Sequence, residues 1–183
     1  MSRLHELSGF DQKMYNEAYK VAVKSLECNE VPVGCVFVYD GMIIGRGHND
    51  VNRMANPTLH AEMKAVEEVT RWCQENQKDA RTVFSESDVY VNLEPCCMCS
   101  SALYQLKVKR VVFGAPNERF GGMGSVMSNE DFKHEAQIEV IRNVDMDRSI
   151  QLLRDFYKQE NPFAPEEKRK TRNKLAAKEE LSK

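Results

Sequence analysis

The chain has 183 residues, enough for one ordinary domain with a sizeable core, and its 42% hydrophobic and 30% charged residues describe a globular protein rather than a disordered or fibrous one. A net charge of −2 provides no global field toward nucleic acid or an anionic surface, so any such attraction has to come from local patches. No apolar run approaches the roughly 20 residues of a membrane span; the six cysteines follow no framework spacing and no secretory signal opens the chain, so reduced thiols in an intracellular compartment, nucleus or cytoplasm, are expected.

Residues 1–10 read as a loose lead-in. Ser8 or Asp11 is placed to cap a helix running to about Cys28, with Met14, Ala18, Val21, Ala22 and Leu26 at helical spacing, a stripe that predicts packing on a core and not a ligand box. Pro32 breaks that pattern. Val33 to Tyr39 is rich in β-branched and aromatic residues, Asp40-Gly41 is a two-residue hairpin signal, and Met42 to Gly47 is the returning strand. His48 to Thr58 is a polar loop. Asn49 and Asn52 each carry a donor and an acceptor suited to the edge of a base, although loop asparagines commonly just make turns, and the residues alone favour that plainer reading. Thr58 is read as the N-cap of a helix that holds His60 and Glu62 in its first turn, since residues two apart do not share a face in mid-helix. Ala61, Ala65, Val66 and Val69 would pack its other side, the helix ending near Gln74, and residues 76–88 read as polar and irregular.

Val89 to Leu93 is a short apolar strand, Pro95 suits the entry to a helix over Cys96 to Leu106, and Val108 to Gly114 is the next strand. Strand, helix, strand predicts a parallel pair joined by a right-handed crossover. Ala115 to Ser128, with Gly121, Gly122 and Gly124, has neither period and no phosphate-loop pattern; it reads as a cover over a site or as a plain surface loop. Ile138 to Ile141 predicts an edge strand, and Asp147 a helix cap, the helix running to about Gln159 with Ile150, Leu153 and Phe156 as a buried stripe. After Asn161-Pro162 comes a basic run of Lys168, Arg169, Lys170, Arg172, Lys174 and Lys178. It divides the chain into a domain of residues 1–160 and a tail of 161–183. Such a run is most often a solvated helix face or a localisation signal; near a binding site the same charges would hold RNA phosphates.

The chemistry concentrates in Thr58-Leu59-His60-Ala61-Glu62 and Pro95-Cys96-Cys97-Met98-Cys99. One imidazole and two thiols spaced as Cys-x-x-Cys are three ligands for Zn2+, and a catalytic zinc keeps its fourth position for water. Glu62, beside a ligand, is then the candidate to move the water's proton. A structural zinc would close its shell with a fourth protein ligand, for which Cys97, Cys35, His48 and Cys73 are available. Cys97 also competes with Cys96 for the first thiolate position; the wider spacing favours Cys96.

His-x-Glu followed by Pro-Cys-x-x-Cys is the signature of the zinc nucleobase deaminases. With Val31-Pro32-Val33-Gly34, Gly47-His48-Asn49, Pro57-Thr58-Leu59-His60-Ala61-Glu62, Leu93-Glu94-Pro95-Cys96-Cys97-Met98-Cys99 and Phe113-Gly114-Ala115 leading to Gly121-Gly122-Met123-Gly124-Ser125, the chain from about residue 10 to 160 resembles the tRNA wobble adenosine deaminases, above all the catalytic subunit of the two-subunit eukaryotic enzyme. The resemblance implies a three-layer α/β/α, cytidine deaminase-like fold around a mixed five-stranded sheet. It implies Zn2+ on His60, Cys96 and Cys99, proton transfer by Glu62, and a flipped purine held by Asn49 and Val33. It further implies a tRNA anticodon arm as substrate, and as partner a paralogous deaminase subunit that has lost the glutamate; the basic tail would add Lys168, Arg169, Lys170, Arg172 and Lys174 to the tRNA grip. The rival readings are a deaminase of free cytidine, deoxycytidylate or guanine, and an inactive zinc-containing structural or RNA-binding subunit.

Overall fold

The computed structural model describes residues 2–158. The chain opens with a 3-10 turn at Leu4–Glu6 and then forms helix α1 over Gly9–Glu27, capped by Ser8, whose hydroxyl accepts the Asp11 N–H. Asp11 is no cap: it turns inward and accepts from Arg110 at 2.7 Å and from the Tyr90 hydroxyl. Strands β1 (Gly34–Tyr39) and β2 (Met42–His48) make the expected hairpin, with Asp40 at φ 48° and Gly41 at φ 73°. Helix α2 is Ala61–Glu75, β3 is Asp88–Leu93, α4 is Cys97–Leu106 and β4 is Arg110–Ala115.

Between them, residues 80–86 are not irregular. Ala80–Glu86 forms helix α3, because Asp79 caps it through the Thr82 N–H and Val83 and Phe84 are buried beneath it. A short helix α5 (Asn129–Phe132), edge strand β5 (Glu139–Ile141) and helix α6 (Met146–Lys158) complete the described chain.

The five strands lie in the order β2-β1-β3-β4-β5. β1 is antiparallel to both β2 and β3, whereas β3, β4 and β5 run parallel. The period-2 alternation of a strand sends Cys35, Phe37, Val89, Val91, Val111 and Phe113 to one face, packed on α2, α3 and α4. Val36, Val38, Tyr90 and Val112 go to the other, against Met14, Tyr15, Ala18 and Val21 of α1. Both faces are apolar, so the sheet is the middle of three layers.

Two features fix how the helices sit. A side chain at Gly45 or Gly47 would run into the backbone of Ala65 and Ala61, so bare backbone on β2 lets α2 lie unusually close to the sheet. On the opposite face, Arg110 reaches Asp11 and Asp88, each at 2.7 Å, and the Tyr90 hydroxyl at 2.8 Å, tying α1 to β3 and β4.

Helix α6 lies differently from its predicted stripe. Ser149 and Leu152 are its buried residues, since the Ser149 hydroxyl meets the Tyr15 hydroxyl at 2.9 Å over the side-chain-free Gly114. Ile150 and Leu153 are left half-buried on another face, and Asp147 sits inside the first turn.

Candidate metal centre and adjoining cleft

The carboxyl end of β3 and the amino ends of α2 and α4 converge at one point. His60, not Thr58, occupies the N-cap position of α2, in extended backbone at φ −73°, ψ 159°. Thr58 bonds instead to Asn56 Oδ1, through both its N–H and its hydroxyl. Cys96 is the N-cap of α4 and Cys99 lies in its first turn. His60 Nδ1 stands 3.4 Å from Cys96 Sγ and 3.5 Å from Cys99 Sγ. A tetrahedral zinc with bonds of about 2.3 Å to sulphur and about 2.05 Å to nitrogen has N···S edges of about 3.6 Å, so the donor set fits that ion.

Among the described residues no further His, Cys, Asp or Glu joins this cluster. The alternative ligands are engaged or distant: Cys97 Sγ donates to the Phe120 carbonyl at 3.1 Å, His48 Nδ1 lies 2.9 Å from the Asn49 carbonyl, and Cys35 and Cys73 are buried in the core. A three-residue shell leaves one coordination position, which is the pattern of a catalytic centre rather than a structural one.

The electrostatics bear on the two thiols unequally: the hydrogen bond to Cys96, and then burial, push the Cys99 thiol up. Hydrogen bonds from Cys99 and then His60 pull the Cys96 thiol down to about 4 against the opposing effect of burial. The start of α4 places Cys96 at the positive end of the helix dipole, which also favours thiolate. The bond to Cys96 raises His60. Glu62 is buried, and loss of hydration, followed by the nearby Cys96 charge, pushes its carboxyl up to about 7. A carboxyl that titrates near neutrality suits a group that must take and return a proton.

A cleft of about 560 Å³ opens beside this centre. Its walls include His60, Glu62 and Cys96, with Val31 and Val33 before β1, Asn49 and Asn52 from the loop after β2, and Ile150, Leu153 and Tyr157 from α6. The stripe expected to be buried therefore supplies Ile150 and Leu153 to the cleft. Asn49 is buried, and its Oδ1 accepts the Ala61 N–H at 2.9 Å, so it serves as an outside cap for α2. That bond fixes the amide's orientation and aims Nδ2 away from the helix end. Asn52 is committed to the fold: its Nδ2 donates to Glu30 Oε2 at 2.9 Å.

Three carboxylates that the residues did not single out hold the cleft's loops. Glu30, fully buried, accepts the Arg53 N–H at 2.7 Å as well as Asn52. Asp50 accepts from Arg53 at 2.5 and 2.6 Å and from Lys64 of α2 at 2.8 Å, and its carboxyl is drawn down to about 2, chiefly by the Arg53 bond. Glu94 gathers four donors from the loop after β4. Their sequence signal is slight, an acid next to a motif, because what identifies them is burial and convergence of distant N–H groups. The basic residues from Lys168 to Lys174 lie outside the described residues. No helix among the described residues is long and apolar enough to cross a membrane.

A family profile, the cytidine and deoxycytidylate deaminase zinc-binding region, matches residues 8–115. The Xenopus tropicalis tRNA-specific adenosine deaminase 2 is 43% identical over 166 residues, covering 86% of this chain and 94% of that protein. The Schizosaccharomyces pombe tRNA-specific adenosine deaminase subunit tad2 is 43% identical over 149 residues, 81% of this chain and 37% of that one. A solved structure from a study of A-to-I editing by tRNA:A34 deaminases at the wobble position superimposes with a TM-score of 0.66 at 25% identity, covering 76% of this chain and 98% of its own.

Proposed function

This chain belongs to the zinc-binding deaminases of the cytidine and deoxycytidylate deaminase family, and we propose that within it the chain is the catalytic subunit of a tRNA adenosine deaminase that converts adenosine to inosine at the first anticodon position. The carrying observation is the buried Glu62 beside a three-ligand His60, Cys96, Cys99 set at the end of an open cleft. Similarity to tRNA-specific adenosine deaminases from a frog and a fission yeast supports the tRNA substrate.

His60, Cys96 and Cys99 would hold a zinc ion, which when bound would supply the Lewis acidity that makes a water nucleophilic near neutral pH. Glu62 takes a proton from the attacking water and passes it to the purine nitrogen beside the reacting carbon as the water oxygen bonds to that carbon; it then carries the remaining hydroxyl proton to the amino group, whose C–N bond breaks to release ammonia. Asn49 directs Nδ2 to an acceptor on the base, and Val33 supports the ring from the floor of the cleft. An anticodon loop presents an unpaired base that turns into such a pocket without breaking a duplex.

The fission-yeast relative is described as a subunit, which supports a partner chain, read here as a paralogous deaminase lacking the glutamate. The basic tail is read as an additional hold on tRNA, and the nucleus or cytoplasm as the place of work. The deciding assay is inosine formation in a tRNA with adenosine at the first anticodon position, with this chain alone and with the paralogue. Inosine only with the paralogue is the expected result. Zinc-loaded protein that yields none in either case overturns the reading in favour of a free-nucleoside deaminase.

A further inference from the structure

The loop from Asn117 to Ser125 lines the cleft through residues 117–120 and has almost no regular structure, yet it is tightly held. Glu94, buried at the end of β3, accepts the N–H groups of Met123 at 2.9 Å and Ser125 at 3.1 Å on Oε1. On Oε2 it accepts the Asn117 N–H at 2.9 Å and the Ser125 hydroxyl. The loop is pinned a second time to the metal-bearing helix, where the Phe120 carbonyl accepts the Cys97 N–H at 2.8 Å. Between these anchors the backbone is fixed while two side chains stand out. Arg119 and Phe120 are exposed, both line the cleft, and the guanidinium lies 4.9 Å from the ring centroid.

Phe120 is 54% exposed, although aromatic rings ordinarily gain by burial. A flat apolar face partnered by a cation, at the rim of a cleft that takes one base, matches the chemistry of nucleobase stacking in single-stranded RNA. We propose that Glu94 is a positioning residue, whose carboxylate sets the Asn117–Ser125 loop so that Arg119 and Phe120 form a stacking platform for a nucleotide next to the one that enters the cleft. This rests on the RNA substrate proposed above. Glu94 acts through the loop, whereas Phe120 touches the RNA.

The test is steady-state kinetics of the zinc-loaded enzyme, with its paralogue present, on an anticodon stem-loop RNA. Glu94→Gln preserves size but cannot accept from all four donors. It is expected to raise KM about 10-fold, to change kcat by less than about 3-fold and to leave zinc content intact, as is Phe120→Ala, whose lost stacking is of that size. The double variant is expected to be no worse than the poorer single, because both changes disable one platform. Hydrogen exchange at residues 117–125 is expected to accelerate in Glu94→Gln and not in Phe120→Ala. Should Glu94→Gln fail to fold, Ser125→Ala removes a single donor and is expected to show the same split to a smaller degree.

Unchanged KM, multiplying effects in the double variant, or zinc loss in Glu94→Gln overturns the proposal. So does a Phe120→Ala variant that loses the paralogue but not RNA. If the wild type forms no inosine, the functional reading falls on its own account, and the exchange data still decide whether Glu94 orders the loop.

Discussion

Asn49 accepts the Ala61 N–H through Oδ1 and lines the cleft, so substitutions can separate the cap from the proposed contact with the base. Asn49→Asp retains an acceptor for the helix end and loses the donor; it is expected to keep the thermal midpoint nearly unchanged while KM rises about 10-fold, the size of one hydrogen bond. Asn49→Ala removes both and should in addition lose about 1 kcal/mol of stability in denaturant titration, as a missing cap does. At Glu62, outside the three-ligand cluster, replacement by Ala is expected to lower turnover by about 10²–10⁴-fold, the usual reach of acid–base catalysis, with zinc content per chain unaltered. Metal loss in that variant would make Glu62 a ligand. These residue types were readable before folding, because His-x-Glu and Cys-x-x-Cys carry their chemistry in their spacing. The direction of the Asn49 amide was not, since it depends on a helix end 12 residues away.

At the scale of elements, α2 carries two of the site's groups and is set by its close contact with β2. Gly47→Ala places a methyl group against the backbone of Ala61 and Ala65. Overpacking of this kind costs about 1–3 kcal/mol, and the expected outcome is a lower unfolding midpoint together with weaker zinc retention against a chelator. The loop after β2 is fastened to the same helix by Asp50, which meets Lys64 of α2 and Arg53. Its folded carboxyl is drawn below the ordinary value to about 2. The resulting stabilisation is therefore present at neutral pH, and fades as pH falls from about 4, where unfolded carboxyls protonate, toward about 2. Arg53 is largely exposed, so the difference between wild type and Asp50→Asn should be on the order of 1 kcal/mol at pH 7 after solvent screening. Urea titrations should show it vanishing near pH 2. Helix α3 is not legible in residues 76–88, because only two of its residues, Val83 and Phe84, are buried and the rest of its surface is mainly polar. The stripe assigned to α6 failed for a related reason: helical spacing shows that a face is apolar, but not which neighbour it meets.

For the whole molecule, the mixed sheet brings together segments far apart in the chain. β1 enters the sheet antiparallel to β3, so Val31 and Val33 at its start lie beside Leu93 and Glu94 at the end of β3, and all four line the cleft. The two helix starts bearing His60 and Cys96 meet at that same edge. Opposite charges are clamped across the layers by Arg110 with Asp11 and Asp88. Removing the cation in Arg110→Ala should destabilise the domain by about 2–3 kcal/mol in denaturant, as losing hydrogen bonds to a partly buried charge does. The basic run from Lys168 to Lys178, outside the described residues, is proposed as a further contact with RNA. Deleting residues 166–183 is expected to weaken tRNA binding and flatten the slope of log affinity against log salt, because fewer phosphate counterions are released; unchanged affinity and slope would make the run a solvated face or an address.

The sequence by itself determined the hairpin, the parallel β3–α4–β4 unit and the thiol pair suited to a metal, since each depends on neighbours a few residues apart: a turn with positive φ, an alternating strand, a Cys-x-x-Cys at a helix start. Only the tertiary structure brought His60 to the two thiols and, among the described residues, no fourth donor with them. Excluding a fourth requires knowing where Cys35, Cys73, Cys97 and His48 point. Nor could spacing show Glu94, Glu30 and Asp50 as the holders of the cleft's loops, or Ile150 and Leu153 as part of its wall. Those roles are properties of convergence, where groups remote in the chain become adjacent once both faces of the sheet are covered.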